Sequence, residues 1–255
     1  MTETSSPTLG AVDRATQVLQ MFVQTGARTL GVTEIATSLD LSKAVVHRVL
    51  ASLREAGFVD VEPGSRRYQL GPAALALGLA YLERIDLRAQ ARPVLERLSA
   101  ATHETATLSV RHGDQRIYVD QVTPLTEIRM TVPLGRPYPL HAGSSSKAFL
   151  AFLSDAEQAD YLSRDLPRLT DATVTDKAAL AKELAAVRKR GYAKSLGERQ
   201  PGAASVAAPV FDHEGHPVGA ISVCGPIERF RSHTDEAAHL LLDGCRELSR
   251  QLGFR

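Results

Sequence analysis

Between Val32 and Leu70 the apolar positions change period. Ile35, Ala36 and Leu39 make one apolar face, and Val46, Val49, Leu50 and Leu53 make a second at spacings of three and four, so two amphipathic helices meet. Asp40-Leu41-Ser42 leaves room for one tight turn between them, and Ser42 is placed to cap the second helix by accepting a backbone N–H. Gly57 ends that helix; Phe58 to Glu62 reads as a strand, Pro63-Gly64-Ser65 as a turn and Arg66 to Leu70 as the returning strand. Helix, turn, longer helix and two-stranded wing is the element order of a DNA-reading module, expected over residues 9–70.

The pattern also orients the second helix. With Val46, Val49, Leu50 and Leu53 inward, Lys43, Ala44, Val45, His47, Arg48 and Arg54 turn outward or to the flanks. A helix N-terminus docked in a major groove brings its first two turns to base edges, here Ser42 to Arg48, with Lys43, Val45 and His47 as readout candidates. Arg48 and the wing's Arg66 and Arg67 are expected on phosphate. The charge is modest: five basic against three acidic residues from Ser42 to Leu70, a local +2. A whole-chain net charge of +1 points to neither nucleic acid nor an anionic membrane, so the DNA reading rests on the motif.

After the wing, Gly71-Pro72 opens a run from Ala73 to Leu82 that is apolar on every side, a connector helix expected over 71–84. Such a helix needs burial, and a partner chain is the expected cover, with Leu77 and Leu79 at the contact. The period changes again beyond it. A helix from Asp86 toward His103 precedes a hairpin of Thr105 to Val110 and Gln115 to Val122 turning at His112-Gly113-Asp114, then a strand-like stretch from Thr126 to Val132. An apolar helix from Ser144 or Ser145 through Leu153, a helix from Asp176 to Arg190 stopped by Gly191, a hairpin of Val206 to Phe211 with Pro217 to Cys224, and a last helix from about Thr234 to Leu252 complete the chain. Without regular βαβ alternation, an antiparallel sheet with helices on its faces is expected over 85–255.

Length and composition bound the rest. A chain of 255 residues with 44% apolar and 23% charged residues supports two cored domains, with loose structure expected only in the tail, residues 1–8. Cys224 and Cys245 are too far apart for a CxxC unit, no disulfide framework is suggested, and a reducing cytoplasm is the expected setting. No apolar run reaches the roughly 18 residues of a membrane span, and nothing reads as an export signal.

Three blocks, SKAVVHRVLASLREAGFV, PLHAGSSSKAFLAFL and GERQPGAASVAAPVFDHEGHPVGAISVCGP, stand in the order found in the IclR family of bacterial transcription regulators, which the chain resembles from about Leu9 to Leu252. The resemblance implies an α+β protein: an N-terminal winged helix-turn-helix, a linker helix and a C-terminal antiparallel-sheet, GAF/PAS-like effector-binding domain. It implies a homodimer or dimer of dimers on double-stranded operator DNA, no catalysis, no cofactor, and repression more than activation. It carries an effector pocket onto Ser144, Ser145, Ser195, Ala203, Ser205, Ser222 and Cys224, with Met130 and Tyr138 as walls. Independently, Ser222 and Cys224, two apart on a strand, share a face, and hydroxyls at a helix N-terminus favour an anion, so a small organic acid is the expected ligand.

Two positions depart from the family's habits. Serine stands at 205 where many members carry cysteine, and with His213 and His216 on an outer hairpin no metal site is expected. Val45 stands where threonine is common. Two rival readings follow from the residues: Ser144-Ser145-Ser146-Lys147 matches the S-x-x-K acyl-enzyme motif without its SDN and KTG companions, and a winged helix can bind protein instead of DNA.

Overall fold

The computed structural model describes residues 9–83 and 86–254, and two compact units meet in the sequence at residues 85 and 86. The tail expected over 1–8 and the last residue of the connector lie outside the described residues.

The first unit opens with α1 (Leu9–Thr25), a helix the pattern reading did not single out, followed by α2 (Val32–Ser38) and α3 (Lys43–Glu55). Asp40 makes the turn between α2 and α3 with φ of 51°, a left-handed conformation that Asp tolerates. Ser42 Oγ accepts the Val45 N–H at 3.3 Å, the expected cap. Val18, Met21, Phe22, Leu30, Ile35, Val46, Leu50, Leu53 and Val59 form the unit's core, entirely apolar. The wing is shorter than the pattern suggests: β1 (Val59–Val61) pairs antiparallel with β2 (Tyr68–Leu70), and Arg66 and Arg67 precede the ladder. Tyr68 also bridges Leu30 with backbone bonds of 2.8 and 2.9 Å, tying the wing to the segment before α2.

Gly71 sets the junction from wing to connector. A Cβ there would meet the Gly57 carbonyl oxygen at 2.3 Å, so glycine lets the two backbone segments touch before α4 (Pro72–Glu83) begins. Leu75, Leu77 and Leu79 on α4 are exposed among the described residues of the first unit.

The second unit runs α5 (Asp86–Thr102), β3 (Thr105–His112), β4 (Gln115–Val122), β5 (Pro137–Pro139), α6 (Ser144–Leu150), α7 (Asp155–Ser163), α8 (Lys177–Arg190), β6 (Ala193–Leu196), β7 (Ala203–Phe211), β8 (Pro217–Pro226), α9 (Ile227–Phe230) and α10 (Thr234–Gln251). All ladders are antiparallel, in the order β5-β4-β3-β8-β7-β6. Helices α6 and α8 build a core of Phe149, Leu150, Leu180, Leu184 and Val187 with Ala207 and Ala220 of the sheet. Helix α10 lies close on α5, Gly244 admitting the Val94 side chain.

One predicted strand is absent. Thr126 to Val132 is irregular, and the edge of β4 is taken by β5, whose Tyr138 pairs with Arg116. The Gln121 side-chain amide substitutes for a ladder: it donates to Val132 O and accepts from Val132 N, both at 3.0 Å. β5 covers only Gln115–Ile117 of that edge; beyond it Gly135 N donates to Tyr118 O at 2.9 Å, no second ladder forms among the described residues, and Ile128 is exposed on the loop. Helix α6 also stops at Leu150, short of Leu153.

Candidate functional site

On the first unit, Ser42, Lys43, Ala44, His47 and Arg48 are exposed along the first two turns of α3. Val45 is half-buried and turns toward α1, sharing a groove with Ala11, Val12, Ala15 and Val49, so it stands at the flank of the outer face. Arg66 is exposed beside the wing turn with no acidic partner among the described residues. Arg67 is different. Its guanidinium donates to Thr29 Oγ1 and Thr29 O, each at 2.9 Å, and to Glu34 at 2.8 Å, while Glu34 also accepts from Gly31 N. These bonds hold the Glu34 carboxyl below its ordinary value, the Arg67 hydrogen bond contributing most. Arg67 thus braces the wing against the start of α2, and Arg66 is the wing arginine without an ion pair among the described residues.

On the second unit, strand register assembles a pocket. Ser195 pairs with Ser205, Ser205 with Cys224 and Cys224 with Thr105, so one row crosses β6, β7, β8 and β3. The N-terminus of α6 closes over this row, Ser144 Oγ donating to Ser205 Oγ at 2.7 Å. Met130, Ser144, Ser195, Ala203, Ser205 and Cys224 line a cavity of about 20 Å³ together with Arg116, Tyr118, Gly143, Arg199 and Gln200. Tyr138 stands behind that lining, edge-on to Tyr118 with ring centroids 5.8 Å apart. Burial pushes the Cys224 thiol up to about 12, so it is a neutral wall group.

Three of the expected residues do not line the cavity: Tyr138, which stands behind it, Ser222 and Ser145. Ser222 lies one row deeper, where its hydroxyl pairs with Thr107 Oγ1 at 2.6 Å, and its hydrogen-bonding capacity is used inside the sheet. Ser145 is buried with no hydrogen-bond partner for its Oγ among the described residues.

Sequence reasoning missed the two arginines. Arg116, only 1% exposed, donates from Nε to Ser146 Oγ at 2.8 Å, from Nη1 to Ser109 Oγ at 3.4 Å and from Nη2 to Tyr118 OH at 3.0 Å. No carboxylate pairs with it among the described residues. Burial lowers its pKa, with the nearby Arg199 charge adding to the fall, yet a guanidinium stays protonated at any working pH. Its charge leans on π faces, 4.1 Å from the Tyr118 centroid and 5.1 Å from that of Tyr138, and Arg199 lies 4.9 Å from the Tyr138 centroid. The only available signal was the alternation Arg116-x-Tyr118 on a hairpin strand, which by pattern reads as an outward face.

A neighbouring ionic cluster sets the pocket's rim. Lys147 is fully buried and donates to Glu183 and Glu198, each at 2.5 Å; Glu198 also accepts from Gly143 N. That holds the segment carrying Arg199 and Gln200 against the start of α6. The same geometry disposes of the S-x-x-K reading: the Lys147 ammonium belongs to two carboxylates and the Ser144 hydroxyl to Ser205. On the β7–β8 turn, Asp212, Glu214 and His216 bring ligand atoms within 4.8 Å of one another, but Asp212 Oδ1 already accepts the Glu214 and His216 N–H groups, an arrangement that stabilises an exposed turn.

Comparison with known proteins accounts for both units. The family model described as "Bacterial transcriptional regulator IclR C-terminal" matches residues 79–250, and that described as "IclR helix-turn-helix domain" matches residues 11–63. The chain is 37% identical over 245 residues to the "HTH-type transcriptional regulator BhcR" of Paracoccus denitrificans, covering 96% of this chain and 86% of that protein. It is similar to the crystal structure of an IclR transcriptional regulator from Alicyclobacillus acidocaldarius, with a TM-score of 0.84, 30% identity and coverage of 94% and 98%. The fold is also that of an IclR homologue from Microbacterium hydrocarbonoxydans, crystallised in complex with 4-hydroxybenzoate, with a TM-score of 0.82, 22% identity and coverage of 95% and 98%. Exposed helix-turn-helix, buried pocket and these relatives agree: the chain belongs to the IclR family of bacterial transcriptional regulators, a DNA-binding regulator and not an enzyme.

Proposed function

We propose that this regulator is a cytoplasmic repressor whose DNA binding is set by a small organic carboxylate held in the second unit. The observation that carries the carboxylate is Arg116: a buried cation with only neutral partners is costly, and a carboxylate reaching it would supply the missing charge. The Ser144, Ser195 and Ser205 hydroxyls surround the same cavity and can donate to that carboxylate's second oxygen. The complex of a same-fold homologue with 4-hydroxybenzoate supports an acid ligand, although about 20 Å³ of free space requires the walls to part for a ring of that size. Residues 9–70 would read the operator through Lys43, His47 and the flanking Val45, with Ser42, Ala44, Arg48 and Arg66 along the backbone. Residues 71–84 would link to the effector domain, 85–255, and carry a homodimer contact through Leu75, Leu77 and Leu79.

Coupling follows if the acid binds the two arrangements of paired winged helices unequally; a differential of about 1–3 kcal/mol is typical of such systems. The test is fluorescence anisotropy of the full-length protein on DNA upstream of its own gene, at fixed salt, with a panel of aliphatic and aromatic acids. Specific binding released by an acid is the expected result. Specific binding that no acid alters would sink the effector half of the proposal, and binding strengthened by acid would sink the sign.

A further inference from the structure

The second unit carries another concavity, of about 620 Å³, between the last turn of α8, the far end of β7 and α10. Its origin lies in strand lengths. β6 pairs only with Ala204–Ala207, so β7 runs on through Ala208–Phe211 with no strand on that side. The open edge is quenched locally, because Pro209 has no N–H and Phe211 N donates to Ser249 Oγ at 3.0 Å.

The floor of this groove is aromatic. Phe211 packs edge-on against Phe152, centroids 5.3 Å apart, and stacks on Phe254 at 5.0 Å. The rim is cationic: Arg188, Lys189 and Arg190 end α8, Arg246 and Arg250 project from α10, and no Asp or Glu among the described residues lines the groove. Part of that charge serves the fold, since Arg188 binds Ala151 O, Leu153 O and Asp155, and Arg190 donates to Tyr192 O. Lys189 and Arg250 have no acidic partner among the described residues, and Arg246 has only Asp243 at 3.4 Å.

We infer that this groove is a second ligand site, for an amphiphilic organic anion: a medium-chain or aryl-alkyl carboxylate whose apolar body lies on Phe152, Phe211 and Phe254 and whose charge meets Lys189, Arg246 and Arg250. Its volume falls in the roughly 300–1,000 Å³ range of ligand sites, and an apolar floor under a rim of one sign selects a molecule with one charged end. The site is chemically unlike the effector pocket, which is small, hydroxyl-lined and built around one buried arginine.

The test uses the full-length chain and two probes, 8-anilinonaphthalene-1-sulfonate and octanoate. The protein has no tryptophan, so probe fluorescence is read without indole transfer. Saturable sulfonate fluorescence displaced by octanoate but not by 1-octanol is expected. The double variant Lys189→Glu/Arg250→Glu, at exposed positions, should weaken both probes about tenfold while the thermal melt stays unchanged. Added salt should weaken octanoate in the wild type and less in the variant. Displacement by octanol equal to that by octanoate would overturn the proposal. Loss of probe affinity in Arg116→Met instead of the double variant would overturn it too, by placing the probe in the effector pocket. A change of sedimentation state in the double variant with octanoate affinity intact would do the same, making the groove a contact between copies.

Discussion

The two units handle charge in opposite ways. Every buried polar or charged residue among the described residues, from Ser99 to Ser249, lies in the second unit; the first keeps an apolar core and carries all of its ionic chemistry outside. The reason is what each must meet. A duplex is a large polyanion approached from outside, so cations on a rigid surface suffice. A small ligand must be enclosed, and a group that discriminates its charge has to be desolvated with it. On the proposed reading Arg116 is left without a carboxylate for that purpose, while Lys147 and Glu104 are fully paired, the latter bidentate with Arg229 at 2.7 and 3.0 Å.

The sharpest way to break this contrast is to remove the buried charges one at a time. Arg116→Met should cost acid binding about 2–5 kcal/mol, roughly 30-fold or more, while the ligand-free protein melts at the same temperature or higher. A fall in both would make Arg116 structural. Lys147→Met should behave in reverse, destabilising the second unit by about 3–5 kcal/mol because Glu183 and Glu198 lose their counter-ion. Calorimetric recovery in Lys147→Met/Glu183→Gln/Glu198→Gln would confirm that charge, not packing, is the cause.

Smaller effects are expected on the first unit. Lys43→Ala should cost about 1–3 kcal/mol on the preferred operator and relax sequence choice, whereas Arg66→Ala should weaken all sequences alike and lower the salt slope by about 1. Competition titrations at several salt concentrations separate the two. Smallest is Arg67→Ala. Both partners of its ion pair are 44% exposed, so solvent screening limits the loss to about 1 kcal/mol or less, and the DNA salt slope should not move. Its pH signature is specific. Glu34 has a folded pKa below its ordinary 4.5, so the clasp's stabilisation is present above that value and is lost as pH falls through the lowered one. Melts of wild type and variant should therefore converge in acid; a constant gap down to the acid limit would show that the clasp is not ionic.

Much of the first unit was legible because its determinants are local. The α2 and α3 faces, the Ser42 cap and the wing turn each depend on residues a few positions apart, and the structure has them all. That Arg67 braces the wing was not legible, because its partners, Thr29 and Glu34, are more than thirty residues away. In the second unit the hairpins and α8 were legible for the same local reason. Thr126 to Val132 was not, since strand-like residues become a strand only where a partner ladder forms, and here a side chain, Gln121, holds Val132 instead.

By itself the sequence determined the order of elements from α2 through the wing, the polarity of the α3 surface and the three blocks that mark the family, because periodicity, caps and turns act over short spans of chain. Tertiary structure alone decided which hydroxyls face the cavity and which face each other, as register separates Cys224 from Ser222, and alone turned Arg116 from a strand residue into a buried cation. Burial and pairing are properties of distant neighbours: the ladder that sets Arg116 against Tyr138 and the helix that brings Ser146 to its guanidinium are closed only by the fold.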